Sequence, residues 1–133
     1  MINWTKGTLR VFSDSMAPAE IGKALGITAT DSFEKGSRAS ARTPNSMIRD
    51  RSIWLLESGL PDGATLEAQV EALLGILEAH SERVAILSPQ CEFDLFFGVR
   101  TESGQGAFTL DSALFARLAT LPVSLSFDLY GGE

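Results

Sequence analysis

Two stretches in the last third of the chain alternate strictly between apolar and polar residues, and this limits the fold more than any other feature. In residues 91–100, Phe93, Leu95, Phe97 and Val99 share one side, while Glu92, Asp94, Phe96 and Arg100 share the other. In Val123–Tyr130, Val123, Leu125, Phe127 and Leu129 interleave with Ser124, Ser126, Asp128 and Tyr130. Successive side chains of a strand point to opposite faces, so each stretch offers one face to a core and one to water. That pattern belongs to an antiparallel or mixed sheet, because strands of an all-parallel sheet are covered on both faces and read as continuous apolar runs.

What covers the apolar side is legible upstream. Leu66, Val70, Leu73, Leu74 and Leu77 fall at i, i+4, i+7, i+8 and i+11, one face of a helix over residues 66–80. Thr65 can cap it, and Glu67 and Glu71 suit its positive end. Burying those five side chains stabilises by about 1.5–3 kcal/mol each before entropy is subtracted. A shorter helix starts near Pro18, with Ile21, Ala24 and Leu25 as its stripe and Gly26 as its left-handed end. With Ala17 as its cap, Met16 and Ile21 stand where a hydrophobic staple would join them. A third helix opens at Asp111 or Ser112, carries Leu114, Phe115, Leu118 and Leu121, and is closed by Pro122. Further strands are expected over residues 8–12, 29–35, 52–58 and 83–87, with a short one over 107–110.

The expected order is β-α-β-β-α-β-β-(β)-α-β. It predicts one α+β domain over residues 1–133, a two-layer sandwich of a mainly antiparallel or mixed sheet with three helices on one face. Its first part has the ferredoxin-like order β-α-β-β-α-β, followed by a β-β-α-β extension.

Charge narrows the function. Eleven Lys and Arg against 17 Asp and Glu give a net charge of −6, which argues against general nucleic-acid binding and against anionic membranes. No apolar run reaches the ~20 residues of a membrane span. The opening residues lack the basic and apolar regions of a signal peptide. Cys91 is the one cysteine, so no intramolecular disulfide forms, and the expectation is a reducing, cytoplasmic setting.

Several short segments together carry a resemblance. The helix P-A-E-I-G-K-A-L-G-I (residues 18–27), the pair Lys35-Gly36, S-I-W-L-L-E-S (52–58) and S-L-S-F-D-L-Y (124–130) are similar to the bacterial proteins grouped as domain of unknown function 4279. Ala29-Thr30 departs from that pattern, which has Pro-Thr after the helix. The resemblance implies a compact α+β fold and a bacterial origin, and it brings no activity. Small acidic bacterial proteins of this kind include toxin-neutralising immunity proteins, an analogy rather than a derivation.

Candidate residues fall in three groups. With the first strand and the two alternating strands as neighbours, Arg10, Glu92, Asp94, Asp128 and Tyr130 meet on the polar face. Two carboxylates there could do acid/base work or hold a divalent cation. The plainer reading is a solvated face with cross-strand ion pairs. In the long polar loop of residues 36–51, Arg38, Arg42, Arg49 and Arg51 stand against Asp50 alone, a guanidinium excess suited to a phosphate or an acidic partner. Its plainer reading is pairing with the chain's own surplus carboxylates. Trp54 is either an interface anchor or part of the core.

No phosphate-binding glycine loop, nucleophile elbow or zinc ligand set is present, and one His with one Cys makes neither a metal site nor a convincing dyad. No cofactor or metal is expected. These features favour a non-catalytic protein-binding module, immunity-like, whose partner is a protein of basic character. A small-ligand or self-associating domain, including a homodimer through a sheet edge, ranks second. An enzyme using Asp94 and Asp128 ranks last.

Overall fold

The computed structural model describes residues 2–40 and 46–131. Five strands form one sheet: β1 (Ile2–Ser13), β2 (Asp31–Phe33), β3 (Ser52–Glu57), β4 (Glu92–Thr101) and β5 (Val123–Tyr130). Four helices are described: α1 (Pro18–Leu25), α2 (Leu66–Ala79), α3 (Ser81–Leu87) and α4 (Ser112–Leu118). The strands lie in the order β2-β3-β1-β4-β5. Every neighbouring pair is antiparallel except β4 and β5, which are parallel and joined by α4. The mixed sheet is therefore as expected.

The helix ends follow local chemistry. The Thr65 hydroxyl accepts from Ala68 N–H at 3.1 Å, and Asp111 Oδ1 accepts from Leu114 N–H at 2.9 Å, each satisfying a donor the helix leaves unpaired. Gly26 closes α1 at φ 75°, the left-handed conformation a side chain would resist.

Four expectations need correction. Residues 83–87 lie in α3, which makes four helices rather than three. Val84 and Leu87 are both buried, a spacing of three that suits a helical turn, while Ile86 between them is 73% exposed. A short apolar run cannot reveal its own period, and packing beneath α2 overrode the β-branched residues. Residues 107–110 form no strand; Phe108 instead lays its ring against Phe127, centroids 5.5 Å apart. With those two strands gone, the extension beyond β4 is only α4 and β5. Finally, the first strand spans twelve residues rather than five, so Trp4 sits within the sheet.

All four helices feed one core. Leu9, Val11, Trp54, Phe93, Leu95, Phe97 and Val99 of the sheet pack with Ile21, Leu73, Leu77, Val84 and Leu118 of the helices. One polar residue is built into it. Gln69, 1% exposed, accepts from Gly7 N–H at 3.1 Å and donates to the Thr5 carbonyl at 3.3 Å. Gly7 leaves it room, since a Cβ would stand 3.0 Å from the Gln69 carbonyl oxygen and push the amide aside.

The cover fails over the far end of β5. Val123 and Leu125 are half-buried against the core, but Phe127 is 37% and Leu129 66% exposed, contrary to the shielding their alternation predicts. Helix α4 has seven residues, about 10 Å, whereas the eight residues of β5 extend about 26 Å. The helix runs out first.

Candidate functional site: the bare face of the sheet

Because every described helix lies on one side, the opposite side of the sheet has no covering helix or strand among the described residues. The registers that pair β1 with β3 and β4, and β4 with β5, bring Lys6, Arg10, Phe12, Leu55, Glu57, Glu92, Asp94, Phe96, Asp128 and Tyr130 to this face. Arg10 stands at its centre. Its Nε and Nη2 reach Asp94 Oδ2 at 2.8 and 2.6 Å, and its guanidinium carbon lies 4.3 Å from the Phe96 centroid and 5.1 Å from that of Phe12. Ser126 Oγ donates to the other oxygen of Asp94 at 2.7 Å. Both oxygens are thus engaged, and the Asp94 side chain is only 7% exposed despite facing outward.

The stack continues sideways. Arg51 lies 4.5 Å over Phe12 and pairs with Glu92 at 2.6 Å. Across the sheet, the Trp4 indole lies against Gly98, where a Cβ would stand 3.0 Å from it. Arg100 lies 5.7 Å from the Trp4 ring and 5.8 Å from that of Tyr130. Tyr130 donates to Asp128 Oδ2 at 2.5 Å, and that carboxylate raises the phenol pKa above its usual value. Beside Arg10, toward β3 and β2, is a depression of about 260 Å³ lined by Lys6, Arg10, Asp31, Leu55, Glu57 and Phe96 among others.

Arg10, Asp94, Asp128 and Tyr130 thus share one face, as the strand order requires. The two aspartates do not meet. Asp94 is level with Ser124 and Asp128 with Gly98, four residues along β4, or about 13 Å. A two-carboxylate centre is not built here. Phe12, Phe96 and Arg100 were not singled out as candidates by the sequence, yet Phe96 carries a signal. It is an aromatic ring in phase with Glu92, Asp94 and Arg100, a place alternation reserves for polar groups.

The arginine-rich loop closes on itself. Arg38 and Ile48 form an isolated antiparallel bridge, and Arg38 donates to the Ser46 carbonyl at 3.0 Å. Arg49 donates to the Arg38 carbonyl at 2.5 Å and lies 4.1 Å over Phe33. Of the loop's arginines, Arg51 and Arg49 reach the bare face, Arg49 through Phe33, and Arg42 lies outside the described residues. Trp54, 1% exposed, packs in the core beneath α1. Cys91 is buried with its thiol 3.7 Å from Met16 Sδ, and burial pushes its pKa up. His80 turns its Nδ1 to the Ile76 carbonyl at 2.8 Å, so these two side chains are each engaged elsewhere.

No described helix is long and apolar enough to cross a membrane. Among the described residues, no three His, Cys, Asp or Glu side chains are grouped to hold a metal ion. No curated protein and no solved structure matches the chain. The family described as Domain of unknown function (DUF4279) matches residues 3–132, nearly the full length, and the chain belongs to it.

Proposed function

We propose that this chain is a non-catalytic protein-binding module, immunity-like and cytoplasmic, that meets its partner through the bare face of the sheet. The observation that carries the reading is the composition of that face. It holds Trp4, Phe12, Phe33, Phe96 and Tyr130, five of a total of eight Phe, two Trp and one Tyr, interleaved with Arg10, Arg51 and Arg100. Aromatic residues and arginine are the types that dominate interface energetics. The face also departs from the chain's overall acidity. Five cations (Lys6, Arg10, Arg49, Arg51, Arg100) stand against five carboxylates (Asp31, Glu57, Glu92, Asp94, Asp128). Stacking and bidentate contacts therefore govern recognition there, while the net −6 steers a basic partner from a distance. The scaffold that goes with this reading is a ferredoxin-like core of β1 to β4 extended by α4 and β5, supported by the order β2-β3-β1-β4 and its antiparallel pairings.

Affinity capture from the native host tests it. Wild type and a helix-side variant, Glu82→Lys, should retain the same partner. Phe96→Ala combined with Arg100→Glu should weaken retention by about tenfold or more. Equal retention by all three proteins would remove the bare face from the proposal.

A second reading, a small-ligand domain, rests on a different feature. A cleft of about 450 Å³ lies between α1 and β2, and Trp54 lines it. The indole Nε1 has no hydrogen-bond partner among the described residues and lies 3.1 Å from where a Cβ on Gly22 would stand, with the Ile27 carbonyl 3.2 Å from the same point. A ligand bearing a carbonyl or carboxylate would accept from that indole. Carboxylates and amides that raise the melting temperature of wild type, but not of Gly22→Ala, would establish this site; no shift in wild type would dismiss it.

A further inference from the structure

We propose that β5 pairs edge to edge with β5 of a second copy of this chain, antiparallel, joining the two sheets into one. The two edges of the sheet differ in length and guarding. At one end, β2 contributes three residues, too short a strand to template another. At the other, β5 contributes eight, in unbroken register with β4 and with no bulge. Its residues, V-S-L-S-F-D-L-Y, include no lysine, arginine or proline, the residues that usually guard an edge. Among the described residues, no strand pairs with its outer side.

The side chains say what fits. The apolar row of β5 is left partly uncovered, with Phe127 37% and Leu129 66% exposed, and Phe108 lies exposed on the same side. A two-fold axis perpendicular to the sheet keeps the helices of both copies on one side. Residues opposed across the seam then share a face only if their numbers add to an even total. Two such registers overlap most of the strand. Centred on Ser126, Leu125 faces Phe127 of the other copy, Val123 faces Leu129, and Ser124 faces Asp128. Centred on Phe127, that ring faces its own counterpart, Leu125 faces Leu129, and Ser126 faces Asp128. In both, apolar meets apolar, and the one charge in the strand faces a hydroxyl. With no cation on the edge and an aspartate that avoids its own copy, the strand is complementary to itself. The apolar contacts of the seam lie on the helix-bearing side, and on the bare face it reaches only the β5 margin around Asp128, away from Arg10, Phe12 and Phe96.

Sedimentation of the full chain from low micromolar concentration up to about 200 µM should reveal a reversible dimer. The double variant Phe127→Asp, Leu129→Asp should weaken it by about tenfold or more, because both side chains are exposed in the single copy and meet apolar partners across the seam in either register. Lys6→Glu, on the bare face, should leave it unchanged. If the double variant fails to fold, hydrogen exchange of wild type decides: alternate β5 amides, those on the outer edge, should become protected as concentration rises. A wild-type monomer at the highest concentration, a dimer that survives the double variant, or β5 amides indifferent to concentration would each overturn the proposal.

Discussion

On the helix-bearing side of β1 and β4, Leu9, Val11, Phe93, Leu95 and Phe97 are all 2% exposed or less. One residue away along the same strands, Phe12 and Phe96 point the other way, and they are only half-buried. The covered side hides its apolar groups under leucine-rich helices. Among the described residues the bare side has no helix, and its rings lie close to guanidinium groups, of which those of Arg10 and Arg51 also bond carboxylates. An arginine is suited to this because it is planar and more weakly hydrated than an ammonium group, so it can cover a ring without losing its ion pair. The comparison teaches that a sheet can carry apolar residues on both faces with helices on only one, provided cations and carboxylates are in register beside the rings. It also leaves the second face able to exchange those partners for others.

If the two faces differ in this way, truncation should cost them unequally. Trp54→Ala should destabilise by about 3–5 kcal/mol in urea unfolding, while Phe96→Ala, half-buried, should cost less than half as much. Equal losses would break the comparison. Gln69→Ala probes the polar insert of the covered side. It strands the Gly7 N–H and the Thr5 carbonyl in a dry place, and about 2–3 kcal/mol should be lost. Arg10→Lys keeps the charge on the bare face but loses the planar fork and the stacking on Phe12 and Phe96, for a smaller cost of about 0.5–1 kcal/mol. A neutral outcome would mean that charge alone screens the rings.

The smallest effect is a titration. Tyr130 is the chain's single tyrosine, so the phenolate absorbance reports it alone. The Asp128 carboxylate accepts the phenol hydrogen and repels a phenolate, holding its pKa above 10. The folded state therefore keeps that proton more tightly than the unfolded chain does. The stabilisation is present in full below about pH 10 and is lost as pH rises through the folded value. Asp128→Asn should move the titration back down, and an unchanged midpoint would show that the bond is absent in solution.

Local signals in the chain were good guides where one residue decides the outcome. Thr65, Asp111 and Gly26 each mark a helix end because capping depends on the side chain at that position and little else. The leucine stripe of α2 was equally plain, as fourteen residues give a period enough length to declare itself. The seven of α3 do not, and their valine and isoleucine favoured a strand until contact with the core decided otherwise. The candidate site was half legible. Alternation placed Arg10, Asp94, Asp128 and Tyr130 on one face, but it could not give the offset between β4 and β5 that holds the two aspartates apart. Nor could it show that Arg38 is spent on its own loop, or that Arg49 is shared between that loop and Phe33.

By itself the sequence determined which residues share a side, since side-chain direction along a strand or helix is fixed by backbone geometry and needs no distant partner. It also determined that the chain carries helices, a sheet and a surplus of negative charge. Which strands lie beside which, how far α4 reaches over β5, and which ring each arginine covers were decided only in the folded molecule. Those outcomes depend on contacts between residues tens of positions apart, whose energies exist only once the chain has closed on itself.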